Sequence, residues 1–357
     1  MQLLILPISG GAFPLQLSML CHILNANPNY DPEIILSASG GNVAAYITLA
    51  GGWNAAGIRR ISKQIHSGFF IRRWSWLNMI NSAIGYFAGT LFNYGEGLSD
   101  FFNNIFTRDK VISKEVWTAV YNRDLQKGQI FCNRSYNTSI LPVDSIDFQA
   151  AQVLPPQYCD GDLDKISKLS LASASIPSLV PPQKIDNQNY VDGGIYASSP
   201  LTLLNGTILK TCRQNYNGIC HMIYCNSINL YQNNFTPQKT ILNSWKQIII
   251  DWIRSQTIHD RYTAYNMLQN YGRPISYYNF DFNYKTAKHY FEFINKVQAS
   301  LLEIFPIDEV SIDIGNFNGQ TVVNNIDSGL LNLQARFWYI TSDDDQIKIQ
   351  KEFLSKF

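Results

Sequence analysis

The sequence predicts an α/β fold: a mostly parallel central sheet flanked by helices, with a helical insertion or lid. Two observations predict it. Short apolar runs near the N-terminus (residues 2–8, Gln-Leu-Leu-Ile-Leu-Pro-Ile, and 34–36, Ile-Ile-Leu) each end at a turn of small residues. Each turn then leads into a segment with helical apolar spacing, and that alternation is the pattern of strand–helix units.

The elements follow in order. Residues 2–8 read as a buried strand that stops at Ser9-Gly10-Gly11. No Lys or Arg stands before this run and no cleavage-type sequence follows it, so it reads as a first strand rather than a signal peptide. Residues 12–25 form a helix with Phe13, Leu17, Leu20, Ile23 and Leu24 on its apolar side. The second strand ends at Ser37-Ala38-Ser39-Gly40-Gly41, and Val43, Ala44, Ala45, Ile47 and Leu49 continue as a tightly packed helix.

From about 55 to 112 the reading is helical and irregular. Residues 74–95 contain no charged residue and follow Arg72-Arg73, a length that approaches a membrane span. Asn78, Asn81, Ser82, Asn93, Gly85 and Gly89 argue against lipid on all sides, which favours a buried or interfacial helix. Residues 117–132 read as a hairpin, with 119–121 and 129–131 flanking a polar turn. A small-residue segment at 168–182, a short run ending at Tyr190-Val191, a strand at 219–226 and a helical stretch at 238–270 complete the reading. The expected organisation is a core over 1–205, with its helical insertion at about 55–112, and a remainder over 206–357 that extends the same domain.

Composition narrows the function. Of 357 residues, 46% are hydrophobic and 15% charged, enough apolar material for a large core and unlike a disordered chain. A net charge of +1 lacks the basic excess of a nucleic-acid binder. The six cysteines form no Cys-x-x-Cys pair, and Cys220 and Cys225 lack the partners of a zinc site. Ordinary reduced thiols fit a cytoplasmic setting, with transient contact at a membrane surface.

Three turns carry candidate chemistry. A serine hydroxyl needs a base to accept its proton and donors aimed at the developing oxyanion. A sharp strand-to-helix turn exposes the hydroxyl at a helix N-terminus, and only small neighbours fit there. Ser39 meets these conditions, although such a turn is also an ordinary helix cap. Gly10-Gly11 could present backbone N–H groups to an oxyanion, or be a tight turn or phosphate loop; no Walker-type Gly-x-x-x-x-Gly-Lys follows. Asp192-Gly193-Gly194 reads alone as a turn and, beside the other two, as a base at a strand end.

Together these segments resemble the patatin-like phospholipase family. The run from Ser37 to Ala45 resembles the family's Gly-x-Ser-x-Gly elbow and the helix behind it. Ala172-Ser173-Ala174-Ser175-Ile176-Pro177 looks like its Ala-Ser-x-Ala-x-Pro segment, and Val191 to Leu201 like its Asp-Gly-Gly/Ala motif with the following proline. Order and spacing agree over about residues 2–205. The resemblance implies a patatin-like three-layer fold and a Ser-Asp dyad, with Ser39 as nucleophile and Asp192 as proton acceptor. It also implies an acyl-enzyme, phospholipid or other acyl-lipid substrates, and an oxyanion site from Gly10, Gly11 and Gly40. Ser37, Gly41, Gly193 and Gly194 are its remaining motif positions. No metal or cofactor is required for that chemistry. Two departures stand out: Ser37 replaces the elbow's first glycine, and Ala12, Pro14 and Leu15 replace the glycine loop's third Gly, basic residue and final Gly.

Phe69, Phe70, Trp74, Trp76, Leu77 and Phe87 are candidates for an acyl-chain groove or membrane-facing lid. Two rival readings remain. One is a Ser-His-Asp esterase completed by His221 or His259. The other is a catalytically weak lipid-binding or scaffold module, motivated by the two departures.

Overall fold

A computed structural model describes residues 1–10, 13–65, 97–143, 153–177 and 180–225, together with short stretches at 251–252, 255–260, 262–264, 266–267, 275–281, 323–324, 326–327 and 336–337. The uncharged 74–95 segment and all six groove candidates (Phe69, Phe70, Trp74, Trp76, Leu77 and Phe87) lie outside the described residues, as does Gly11.

The first strand, β1 (Gln2–Leu6), ends two residues earlier than the apolar run suggests. Pro7 supplies no N–H to a ladder, and the Ile8 N–H turns to the Ser198 carbonyl instead. Helix α1 (Phe13–Ala26) returns the chain to β2 (Ile34–Ala38), which pairs parallel to β1 with Leu6 opposite Ser37. Helix α2 (Gly40–Ala50) leaves directly from β2, and every one of its residues is buried. Its run of small residues and Gly-Gly start lets it lie close against the sheet.

Within the expected helical insertion the described parts are α3 (Ala55–Ser62), α4 (Gly97–Ile105) and the short α5 (Arg108–Val111). The expected hairpin forms as β3 (Glu115–Asn122) and β4 (Lys127–Cys132), antiparallel with Ala119 opposite Ile130. Then come β5 (Gln157–Tyr158), α6 (Leu163–Ser173), β6 (Gln183–Ile185) and β7 (Gln188–Asp192). Helix α7 (Leu201–Asn215) leads to β8 (Cys220–Cys225), and β9 (Ile275–Asp281) and β10 (Arg336–Phe337) follow.

Among the described residues these strands form one mixed sheet in the order β10-β9-β8-β1-β2-β3-β4-β5, with the β6–β7 pair joined to it through β3. The central run β9-β8-β1-β2-β3 is parallel throughout. Successive residues of a strand face opposite sides, and the core divides accordingly. Leu4, Leu6 and Ile35 pack with α1, α2, α3, α4 and α6 on one side. Leu3, Ile5, Ile34 and Leu36 pack with α7 and with Ala264 and Met267 on the other. Among the described residues, no helix is long and apolar enough to cross a membrane. All six cysteines are buried and free.

The pairing of β3 positions the site. One edge of β3 is occupied by β4. The other edge is shared: β2 pairs along it as far as Ala38 opposite Ala119, and β7 takes over from Val120, which faces Asp192. Because β2 runs parallel to β3 and β7 antiparallel, their C-terminal ends meet head to head. Ser39, the residue after Ala38, is thereby brought against Asp192.

Candidate active site

Ser39 stands between β2 and α2 with φ of 53° and ψ of −134°, a left-handed conformation that is unfavourable for any residue with a side chain. The surroundings hold it there. Its N–H donates to the Ser173 Oγ at 2.8 Å, and that hydroxyl donates to the Ala119 carbonyl at 2.8 Å. The Ser39 Oγ, left free of a capping bond, donates to Asp192 Oδ2 at 2.7 Å.

The other oxygen, Asp192 Oδ1, accepts the Gly194 N–H at 2.8 Å, and the Asp192 N–H donates to the Ser175 carbonyl at 2.9 Å. The Ala-Ser-x-Ala-x-Pro segment therefore fixes both residues, Ser39 through Ser173 and Asp192 through Ser175. Ser39 is 3% exposed and Asp192 2%. Burial pushes the Asp192 carboxyl up to about 7, offset in part by the hydrogen bonds from Ser39 and Gly194. A carboxylate in this setting is a stronger base than one in water, and it already accepts a hydrogen bond from the hydroxyl it would deprotonate.

Close packing explains the glycines. A Cβ on Gly40 would stand 2.3 Å from the Gly10 carbonyl oxygen and 2.5 Å from the Ser9 Oγ. The end of the first loop therefore rests on the start of α2. A Cβ on Gly193 would stand 2.0 Å from the Ala119 carbonyl oxygen. As the first residue of α2, Gly40 has an N–H with no intrahelical acceptor, a group suited to an anion. Gly10, with φ of 52°, lies beside it.

The serine in place of the elbow's first glycine is accommodated by hydrogen bonds. The Ser37 Oγ donates to the Trp117 carbonyl at 3.3 Å and accepts from Asn42 Nδ2 at 2.9 Å. Asn42 Nδ2 also donates to the Thr118 Oγ1 at 2.7 Å, tying α2 to β3. Pro14, which replaces the loop's basic residue, falls in the first turn of α1, where its missing N–H costs nothing.

The histidine rival finds no support in this geometry. His221 pairs with Gln2 at the opposite end of the sheet from Ser39, and its side chain is exposed, as is that of His259. Both carboxyl oxygens of Asp192 are taken up by Ser39 and Gly194.

Ser173, Ser175, Asn42 and Thr118 were not singled out as individual site residues from sequence. The first two lie in a segment whose resemblance was visible, but their bonds depend on long-range pairing. A further buried carboxyl, Asp260, carried no sequence signal at all.

Comparison with known proteins gives the chain a family. A family model described as patatin-like phospholipase matches residues 8–205, more than half of the chain. None of the curated proteins matches. Among solved structures, VipD from Legionella pneumophila is similar at 12% identity, over 99% of this chain and 73% of that one, with a TM-score of 0.33. By the family match over residues 8–205, the chain belongs to the patatin-like phospholipase family, whose chemistry is that of lipid acyl hydrolases.

Proposed function

We propose that the chain is a serine acyl hydrolase of phospholipase A type, working through Ser39 and Asp192 on phospholipids or related acyl lipids. The observation that carries this reading is the 2.7 Å hydrogen bond from the Ser39 Oγ, on its left-handed turn, to a buried carboxyl with raised proton affinity.

In the reaction, the Ser39 Oγ attacks the ester carbonyl carbon while its proton passes to Asp192 Oδ2. The N–H groups of Gly10, Gly11 and Gly40 receive the oxyanion. Collapse of the tetrahedral intermediate breaks the ester C–O bond, and the leaving alcohol takes the proton from Asp192. Water then attacks the acyl-serine and passes a proton to Asp192. The proton returns to Ser39 as the fatty acid departs. Phe69, Phe70, Trp74, Trp76, Leu77 and Phe87 are proposed to receive the acyl chain or face the membrane. Residues 1–205 are proposed as the catalytic core, and 206–357 as an extension of the same domain, since β8 pairs with β1.

A fluorophosphonate probe tests the reading. It is expected to label wild-type protein on the peptide containing Ser39 and to leave Ser39→Ala unlabelled; labelling that survives the substitution would place the nucleophile elsewhere. Because Asp192 must be ionised to accept the proton, kcat/KM on p-nitrophenyl butyrate is expected to rise with pH, with a midpoint at about 7. A flat profile between about pH 5 and 8 would rule out Asp192 as the titrating base. A lipid-binding module without turnover is the second reading, favoured by the near-complete burial of Ser39 and Asp192. It predicts binding to phosphatidylcholine vesicles with no release of fatty acid.

A further inference from the structure

Behind the site lies a second carboxyl buried among hydroxyls. Asp260 is 1% exposed, on helical residues 255–260. Its Oδ2 accepts the Ser199 Oγ at 2.5 Å and the Tyr224 hydroxyl at 3.5 Å, and its Oδ1 accepts the Thr202 Oγ1 at 3.3 Å. The Ser198 Oγ lies 3.4 Å from the same Tyr224 hydroxyl. Burial pushes the Asp260 carboxyl up to about 7, against the opposing effect of hydrogen bonds from Ser199, Thr202, Ser198 and Tyr224.

Docking a helix does not by itself call for a carboxyl, whose desolvation is costly. What Asp260 gathers is therefore informative. Ser198, Ser199 and Thr202 belong to the turn that follows Asp192-Gly193-Gly194 and starts α7. The Ser198 carbonyl accepts the Ile8 N–H at 3.0 Å, and Ile8 leads into Ser9-Gly10. The same region closes around Gly194. A Cβ there would meet Ile8 Cγ2 at 2.8 Å, Asp192 Oδ1 at 3.0 Å and Trp252 Cη2 at 3.3 Å. Trp252 lies in the helical residues that precede Asp260. The turn that orients Asp192 and the strand end that delivers Gly10 thus both hang on the segment that Asp260 holds.

We infer that Asp260 is a positioning residue for the Ser39–Asp192 pair, acting through the Ser198–Thr202 turn to aim the Gly194 N–H at Asp192 and to fix the Ile8–Gly10 strand end. It touches no substrate. The inference rests on the acyl-hydrolase reading of the site. A displacement well under 1 Å at either group would lower the rate of the chemical step and leave uniform binding of the ester unchanged.

The test compares wild type, Asp260→Ala, Asp260→Asn and Ser199→Ala in kcat and KM for p-nitrophenyl butyrate and in the rate of fluorophosphonate labelling. Asp260→Ala is expected to lower kcat about 10-fold or more and Ser199→Ala about fivefold, with KM within about twofold. Asp260→Asn, which keeps the shape and an acceptor, is expected to return kcat to within about threefold of wild type. A purely structural staple would lower the melting temperature and leave kcat of the folded protein alone, and that outcome overturns the inference. If Asp260→Ala fails to fold, Ser199→Ala decides: an unchanged kcat there overturns the inference equally. Wild-type protein that takes no label at Ser39 would count against the hydrolase reading itself. A labelled wild type beside an equally fast Asp260→Ala would defeat only the role of Asp260.

Discussion

Ester hydrolysis by Ser39→Ala is expected to fall to the uncatalysed background, and Asp192→Asn is expected to lower kcat by about 10³-fold or more with little change in KM. The first substitution removes the attacking oxygen. The second keeps the size of the side chain and a group able to bond Ser39 or Gly194, but it cannot take the serine proton. In the proposed mechanism Asp192 serves chemistry rather than binding, so the loss is expected in kcat. Stopped assays on p-nitrophenyl butyrate, with far-ultraviolet circular dichroism to show an intact fold, measure both. Asp192→Asn activity above about a tenth of wild type would sink the assignment of Asp192 as the base.

The second large effect is on stability. An alanine Cβ at position 41 would stand 2.1 Å from the Leu6 carbonyl oxygen and 2.5 Å from that of Pro7. Both obstacles are main chain at the end of the central strand, so no rotamer change relieves the overlap. Gly41→Ala is expected to cost about 3 kcal/mol or more, a large part of the roughly 5–15 kcal/mol that holds a domain together. Gly206→Ala provides the contrast. Gly206 lies inside α7, a Cβ there would meet nothing within 4 Å, and the change is expected to stabilise by about 0.5–1 kcal/mol. Urea unfolding of the two variants beside wild type measures the difference; equal stabilities would show that α2 has room to move off the sheet.

Much of the frame was legible because it is local. The apolar runs at β1 and β2, the small-residue start of α2 and the polar turn between β3 and β4 state their conformation within a few residues. The end of β1 at Leu6 rather than Ile8 was also a local matter, set by Pro7, and could have been read. What sequence could not give was partnership across the chain. That β2 and β7 share one edge of β3, and so place Ser39 against Asp192, follows from register and not from either segment alone. Ser37 read as a defect in the elbow because its compensating bonds depend on how Asn42 turns back from α2 and on the Trp117 carbonyl that strand pairing brings alongside. Asp260 looked like any acidic residue on a polar helix. Its proposed role comes from hydroxyls that the fold collects from two places along the chain, the Ser198–Thr202 turn and Tyr224.

Asp192 and Asp260, buried carboxyls with raised proton affinity, also make folding a proton-uptake reaction. Asp192 and Asp260 each move from an ordinary value of 3.8 to about 7 in the folded chain. Between those limits the unfolded chain has given up protons that the native one still holds, so stability is greatest at the acid end and declines as pH rises toward 7. In the proposed mechanism the demand on Asp192 runs the other way, with activity gaining as the same proton leaves. Chemical denaturation is expected to show a lower midpoint at about pH 8 than at about pH 5, and Asp192→Asn or Asp260→Asn is expected to flatten that dependence. On the proposed mechanism the protein is expected to be most active where these two groups stabilise it least.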